Sequence, residues 1–150
     1  MQSFPHHYQA RATGGVTGPV DVRGPAPAAI ETWPPPEFDG QFGEWSPESL
    51  LVAAVADCFV LTFRAVARAA HLEWDRLDVD VAGTLERIDG VTRFTRMVVA
   101  PHLTIIHAGD AQRVQSLLEK AERGCLVSNS LTAEVVLQPH PVTIATAAAA

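Results

Sequence analysis

At 150 residues the chain has the size of a single domain, and a hydrophobic fraction of 47% excludes general disorder. The net charge of −6 argues against a basic binding face, so we expect no nucleic-acid partner. Two cysteines are too few for a secreted disulfide scaffold; in a reducing compartment they are either inert core thiols or a redox couple.

The N-terminal third is predicted to contain two short strands followed by an extended connection. His6 and His7 are read as part of a loose terminus rather than a metal site, because no further ligand spacing accompanies them. Residues 8–12 and 16–22 have the composition of strands, separated by a glycine pair. The proline-rich stretch 24–36 is unsuited to a central strand, and the loop that follows it is a candidate lid.

The central stretch predicts a long helix from Ser46 to His71. Ser46 is a good N-cap and Pro47 suits the first helical position. Apolar residues cover every face of this helix, which is typical of burial on all sides. A membrane span would need about 20 apolar residues, but this run is shorter, contains Asp57 and lies mid-chain. Residues 1–7 show no hydrophobic signal core, so we expect a soluble cytoplasmic protein without a membrane partner.

The remaining chain alternates between strand and helix signals. Residues 77–86 show clean period-two alternation, Asp89-Gly90 is a hairpin signal, and a return strand is expected to 105, with a bulge or break near Pro101. Asp110 is expected to cap a second helix that ends at Cys125 with its thiol toward the core, followed by a last strand over 131–138.

This element order predicts an α+β domain with an antiparallel sheet around a long buried helix. We expect one domain over residues 1–150, with loose tails at 1–7 and 145–150. One sheet and one further helix would struggle to cover a helix of about 38 Å. Burial against a second copy would solve this, so we expect a two-fold homodimer.

Two segments carry a resemblance to a known family. Ser-Pro-Glu-Ser-Leu-Leu at 46–51, with Cys58-Phe59 beyond it, resembles an Asn/Ser-Pro-Glu-x-Leu…Ala-x-Cys-Phe motif. Residues 121–131 resemble Ala-x-x-x-Cys-Pro-Val-Ser-x-x-Leu, with Leu126 in place of the proline. Both motifs belong to the OsmC/Ohr family, the osmotically inducible protein C and organic hydroperoxide resistance proteins.

The resemblance implies a thiol-dependent peroxidase built as an intertwined homodimer, which reduces organic hydroperoxides. It implies that Cys58 is the peroxidatic thiol, Cys125 the resolving thiol and Glu48 the active-site carboxylate. A Cys58–Cys125 disulfide would then be reduced by a dithiol, such as a lipoylated protein, and no metal, flavin or haem is implied. Glu48 and Cys58 are ten residues apart, about 15 Å along a helix and roughly 80° around it. Simple helical adjacency therefore does not join them.

The chain departs from the family at an arginine that activates the cysteine. The two positions that carry it in different branches are here Val16, after the glycine pair, and Glu37. A cysteine inside an apolar helix has a raised pKa, so we expect another cation to activate Cys58. Arg11 and Arg23 are candidates for this role and for substrate binding, and Arg64 and Arg68 are further candidates for the activating cation.

Two other functions are compatible with these residues. The missing arginine favours a non-enzymatic protein of the same fold that senses redox state or binds an apolar ligand. The cysteines could also be two buried core residues, because cysteine is among the most often buried residue types.

Overall fold

The computed structural model of the protein describes residues 8–15, 19–26 and 28–145. His6 and His7 lie outside the described residues, as does residue 16, and so do residues 146–150 of the expected C-terminal tail. The chain divides into two compact units, residues 1–51 and 52–150. The boundary between them falls within the long helix.

The first unit contains a three-stranded antiparallel sheet. Its strands are β1 (Arg11–Gly14), β2 (Val20–Arg23) and β3 (Ile30–Thr32), paired in chain order. The strand β3 was not expected, because prolines flank it on both sides. It lies at the edge of the sheet, where its outer backbone groups need no partner strand, and this is the position in which neighbouring prolines are tolerated.

The loop between β3 and the long helix is closed on itself by backbone contacts. The Trp33 N–H donates to the Trp45 carbonyl over 2.7 Å, and a 3-10 turn covers Pro36–Phe38. A Cβ at Gly40 would lie 1.6 Å from the Pro34 carbonyl oxygen, so only glycine allows the chain to pass there.

The long helix, α1, spans Pro47–Ala69 and begins as the sequence predicts. Ser46 is the N-cap: its hydroxyl oxygen accepts from the Ser49 N–H at 3.1 Å, and its own N–H donates to the Ser49 hydroxyl at 2.8 Å. The two serines thus satisfy donors that the helix start leaves unpaired. Just beyond the end of α1, His71 has a φ of 50°, which turns the chain toward the next strand.

The second unit is built on a mixed sheet with a long hairpin. Strands β4 (Trp74–Ile88) and β5 (Val91–Ile105) pair antiparallel, and both residues of the Asp89-Gly90 turn have positive φ, as the predicted hairpin requires. Strands β6 (Glu134–Leu137) and β7 (Thr143–Ile144) both pair with β5, but in parallel. The antiparallel arrangement we expected therefore holds for β4 and β5 but not for β6 and β7.

The predicted bulge or break at Pro101 is wrong. Pro101 pairs with Val79 in a continuous register, and the irregularities lie instead at Trp74/Arg76 and Thr84/Leu85. On the other edge, β6 pairs with residues 96–99 of β5 and β7 with residues 104–105. Pro101 lies between them, and its carbonyl oxygen accepts from the His140 N–H at 2.9 Å. A proline fits between two partner strands because no ladder bond requires its missing N–H.

One side of α1 forms the core of the second unit. The buried α1 positions recur every three or four residues, and they pack with alternate residues of β5 and with the next helix, α2 (Ala111–Gly124). The buried cluster comprises Val55, Phe59, Phe63, Val66, Ala67, Leu72, Val99, Leu103, Ile105, Val114, Leu118 and Ala121. Phe63 also meets Trp74 edge-on, with ring centroids 5.5 Å apart.

The opposite side of α1 is not covered in the single chain. By length and composition α1 could cross a membrane, but its core stripe packs inside the second unit. Only 28% of its most apolar 18-residue window is buried, and Leu61 is 51% exposed. Within the described residues α1 is therefore fully buried along one side only, and its exposed positions include Asp57, Arg64 and Arg68 as well as Leu61.

The end of α2 leads directly into a short helix, α3 (Leu126–Asn129). At the start of α2, Asp110 occupies the predicted N-cap position, yet its carboxylate makes no capping hydrogen bond and pairs with Arg113 instead. The predicted end of α2 next to Cys125 is confirmed. The turn between α2 and α3 thus places Cys125 and the α3 backbone side by side.

We expect the Ser46 cap to contribute measurably to stability. Ser46→Ala removes an acceptor and should lower the free energy of unfolding by about 1 kcal/mol. Urea denaturation at fixed protein concentration measures this. Ser116→Ala is the control, because the Ser116 hydroxyl lies on the exposed face of α2 and bonds only the Arg113 carbonyl. Equal losses in the two variants would show that the cap is energetically unimportant.

Candidate functional site

Cys58 lies in the middle of α1 and is half-buried. It follows Val55 by three residues and precedes Phe59, so it sits at the border of the core stripe rather than within it. One helical turn further on, the Thr62 hydroxyl lies 4.0 Å from the Cys58 sulfur. This position gives the thiol access to solvent on one side and to protein donors on the other.

Cys125 lies in the turn between α2 and α3 and is fully buried. Its backbone is extended, with φ −69° and ψ 109°, which ends α2 and lets α3 begin at the next residue. The Ser128 hydroxyl, itself buried, donates to the Cys125 sulfur at 3.1 Å. The sequence prediction that the Cys125 thiol points toward the core is therefore confirmed.

The two thiols are close enough for each to shift the pKa of the other, and both cysteines are free. Gly124 allows this approach, because a Cβ at that position would lie 3.2 Å from the Thr62 Cγ2 atom on α1. The structure therefore brings together residues 67 positions apart that the sequence pattern had paired only through the family resemblance.

The surroundings of Cys58 favour its ionised form. Burial raises the pKa of the Cys58 thiol, but the Val127 backbone N–H, the Cys125 thiol, the Thr62 hydroxyl and the Leu126 backbone N–H together lower that pKa below its usual value. These four donors are uncharged. Hydrogen bonds to a thiolate stabilise it as a nearby positive charge does. The approach of a cation to Cys58 stays a prediction.

The surroundings of Cys125 have the opposite effect. Burial raises the pKa of the Cys125 thiol, and contact with Cys58 raises it further, while the hydroxyl and backbone N–H of Ser128 only partly offset the rise. Cys58 therefore ionises first, and Cys125 stays protonated beside it. This difference suits one sulfur to attack a substrate and the other to react with the product of that attack.

Glu48 lies in the first turn of α1, within the first unit. Its carboxylate is not simply exposed: the Oε2 atom is buried and has no hydrogen-bond partner among the described residues. A buried carboxylate oxygen without a hydrogen-bond donor destabilises the folded state. We therefore expect a donor for this atom from outside the described part of the chain. The role of Glu48 as an active-site carboxylate stays a prediction.

Arg11 and Arg23 face each other across β1 and β2 in the first unit, whereas both cysteines belong to the second. The Arg23 guanidinium pairs with Asp21 at 3.7 Å, and both partners are exposed. The two arginines line an open cleft of about 560 Å³ together with Tyr8 and residues 9, 10, 24 and 25. Their participation in substrate binding also stays a prediction.

Sequence reasoning missed the donors that surround the two sulfurs. Thr62 lies four residues after Cys58, on the same helical face, and Ser128 lies three residues after Cys125, so both spacings were visible in the sequence. The backbone N–H groups of Leu126 and Val127 could not have been found that way, because nothing in the pattern showed that α3 begins beside α1.

Similarity to known proteins extends over most of the chain. A family profile described as OsmC-like protein matches residues 39–140. The chain is 27% identical over 107 residues to YmaD of Bacillus subtilis (strain 168), covering 69% of this chain and 71% of YmaD. It is 27% identical over 127 residues to peroxiredoxin OsmC of Escherichia coli (strain K12), covering 85% of each.

A solved structure shows the same fold. An organic hydroperoxide resistance protein OsmC from Legionella pneumophila superposes with a TM-score of 0.69 and 23% identity, over 96% of this chain and all of that one. The family match spans both units and includes both cysteines and Glu48. With this profile, these relatives and this fold, the chain belongs to the family of OsmC-like proteins.

Proposed function

We propose that the protein is a thiol-dependent hydroperoxide reductase. The observation that carries the proposal is the proximity of two free thiols that influence each other's pKa, with the pKa of Cys58 lowered and that of Cys125 raised. A nucleophilic thiolate with a protonated thiol against it is the arrangement that a two-cysteine peroxidase needs. The family relative named a peroxiredoxin supports the same chemistry.

The reaction proceeds in three balanced steps. The Cys58 thiolate attacks the terminal oxygen of a hydroperoxide, breaks the O–O bond and becomes a sulfenic acid, while the other oxygen leaves as an alcohol after protonation. The Cys125 thiolate then attacks the Cys58 sulfur and expels hydroxide, which forms a disulfide. A dithiol then reduces this disulfide by thiol–disulfide exchange. The dithiol itself becomes a disulfide, and both thiols of the protein are restored.

We infer that the substrate is an organic hydroperoxide. Apolar side chains are exposed near the Cys58 thiol, since Leu126 is 72% exposed and Leu61, three residues after Cys58, is 51% exposed. An apolar peroxide substituent would gain free energy by covering them, whereas hydrogen peroxide offers no such group. The naming of the Legionella relative as an organic hydroperoxide resistance protein supports this choice.

We also propose that the protein works as a homodimer. The apolar stretch of α1 from Leu50 to Ala56 is only partly buried apart from Val55, and Leu61 is 51% exposed, although the charged Asp57, Arg64 and Arg68 are also exposed on this helix. Apolar surface left partly open in this way favours a partner. A second copy would cover it, and a symmetric pair is the commonest oligomer. The orphaned Glu48 Oε2 atom would find its donor in the same contact, which would give the carboxylate its place at the site.

A redox sensor or an apolar-ligand binder is the second candidate function. The observation in its favour is that neither position at which the family carries its arginine has one here, since residues 16 and 37 are Val and Glu. A sensor would form the same disulfide but would consume peroxide only slowly over repeated cycles. Catalytic turnover therefore separates the two functions.

We expect the protein to consume cumene hydroperoxide in the presence of a reduced dithiol such as dihydrolipoamide, and to prefer it over hydrogen peroxide. Cys58→Ser should abolish consumption, because the attacking sulfur is gone. The Cys125→Ser variant should consume one equivalent of peroxide and then stop, because the sulfenic acid at Cys58 has no resolving thiol. Dimedone should trap this sulfenic acid. A single oxidation to the disulfide without turnover, with any dithiol offered, would favour the sensor.

The rate of alkylation by iodoacetamide, measured as a function of pH, should distinguish the two thiols. Since the pKa of Cys58 is lowered and that of Cys125 is raised, the reaction of Cys58 should reach half its maximal rate at a lower pH than a free thiol, and that of Cys125 at a higher pH. Mass spectrometry of the peptides assigns each modification. Thr62→Val should raise the Cys58 midpoint by about half a unit to one unit, because one neutral hydrogen bond is lost.

The matched control for this substitution is Thr62→Ser, which keeps the hydroxyl and should leave the Cys58 midpoint in place. A midpoint for Cys58 at or above that of Cys125 would contradict the assignment of Cys58 as the attacking sulfur.

The dimer should persist on dilution and depend on the uncovered side of α1. Leu61→Asp places a charge there and should shift the sedimentation coefficient toward that of the monomer. Ser116→Asp adds the same charge to the exposed face of α2 and should leave the dimer intact. A wild-type protein that sediments as a folded monomer at micromolar concentration would refute the proposal.

A further inference from the structure

Ser128 is one of three buried polar residues in the described parts of the chain, and it is 5% exposed. Its hydroxyl makes a single hydrogen bond, which is donated to the Cys125 sulfur at 3.1 Å. The hydroxyl of Ser130, the residue just after α3, donates instead to the Leu126 carbonyl at 2.8 Å and is exposed. Of these two neighbouring serines, therefore, only Ser128 is directed at a sulfur.

The position of Cys125 makes this donor important. Cys125 is 0% exposed, so a negative charge on its sulfur is not solvated by water. Burial raises the pKa of the Cys125 thiol, and the hydroxyl and backbone N–H of Ser128 are the groups that lower it again. A charged acceptor in a dry site depends strongly on the few donors that reach it.

We propose that Ser128 is a positioning residue that stabilises Cys125 as a thiolate in the two steps of the cycle in which that sulfur carries the charge. The inference rests on the proposed peroxidase function and adds a residue to it. In the first of these steps the Cys125 thiolate attacks the sulfenic sulfur of Cys58, the S–S bond forms, and hydroxide leaves and takes up a proton.

In the second step a thiolate of the dithiol reductant attacks the Cys58 sulfur of the disulfide. The S–S bond to Cys125 breaks, and Cys125 leaves as a thiolate that accepts the Ser128 hydrogen bond. The second thiol of the reductant, as its thiolate, then displaces Cys58, so that the reductant becomes a disulfide and both cysteines of the protein are reduced. A leaving thiolate with a lower pKa departs faster, so the hydroxyl assists reduction as well as formation of the disulfide.

The expected size of the effect follows from two opposing trends. Loss of a hydrogen bond to an ionised acceptor should raise the Cys125 pKa by about one to two units. The thiolate population then falls about 10- to 100-fold, but the more basic thiolate is more nucleophilic, with a Brønsted slope of about 0.4–0.5. Disulfide formation should therefore slow by about three- to fifteenfold.

A titration that needs no peroxide tests the proposal directly. In the Cys58→Ser background Cys125 is the remaining thiol, and the ultraviolet absorbance of its thiolate is followed against pH. We expect Ser128→Ala to raise the midpoint by about one to two units, and Ser128→Thr, which keeps a hydroxyl, to restore most of the original value. Ser130→Ala is the matched control and should leave the midpoint unchanged.

A kinetic arm then tests the step itself. With both cysteines present, rapid mixing with cumene hydroperoxide should show disulfide formation slowed relative to sulfenic acid formation in Ser128→Ala, with more dimedone adduct at Cys58. An unchanged Cys125 midpoint, or an equal rise in Ser130→Ala, would overturn the proposal. Failure of the wild type to consume peroxide would count against the proposed function alone, because the titration would still decide the role of Ser128.

Discussion

The site depends on the close approach of α1 to the end of α2. Gly124 lies against Thr62, and this contact lets the turn at Cys125 reach the middle of α1. A larger residue at Gly124 would have to displace the Thr62 side chain or separate the helices. The distance between the sulfurs is thus fixed by the packing of helices whose other buried residues belong to the core. A substitution that changes the packing of α1 against the end of α2 therefore also changes the distance between the two sulfurs.

The same approach explains how neutral groups lower the pKa of Cys58. As α3 begins next to Cys125, its first backbone N–H groups have no partner inside the helix and are free to bond a sulfur. The residue at position 126 matters here because it is leucine. A proline, which the related motif has at this position, would carry no N–H. The substitution that we noted as a departure from the motif therefore supplies one of the donors.

Much of the fold could be predicted from the sequence, because its signals are local. The Ser46 cap, the hairpin at Asp89-Gly90 and the end of α2 follow from side chains and spacings within a few residues. The parallel pairing of β6 and β7 could not be predicted, since strand direction depends on how the chain returns after α3. The strand β3 was missed because prolines suppress the local signal where an edge position tolerates them.

The candidate site was predictable only in part, because only some of its groups are marked by local signals in the sequence. The two cysteines and Glu48 stand in motifs that can be read along the chain, whereas the donors around the sulfurs come from the backbone of a turn. The need for a cation near Cys58 was inferred from burial alone. That inference stays untested, but it counted only side chains, and the groups that lower the pKa of Cys58 include main-chain amides whose positions depend on tertiary structure.

Activation by neutral donors has a consequence for the conditions in which the thiol stays reactive. A thiolate held by an arginine loses part of its stabilisation as salt screens the charge, over a Debye length of about 8 Å at physiological ionic strength. The amides of Leu126 and Val127 and the hydroxyl of Thr62 act as short-range hydrogen-bond donors, which added ions do not screen in this way. The reactivity of Cys58 should thus hold nearly constant when cellular osmolarity and salt rise.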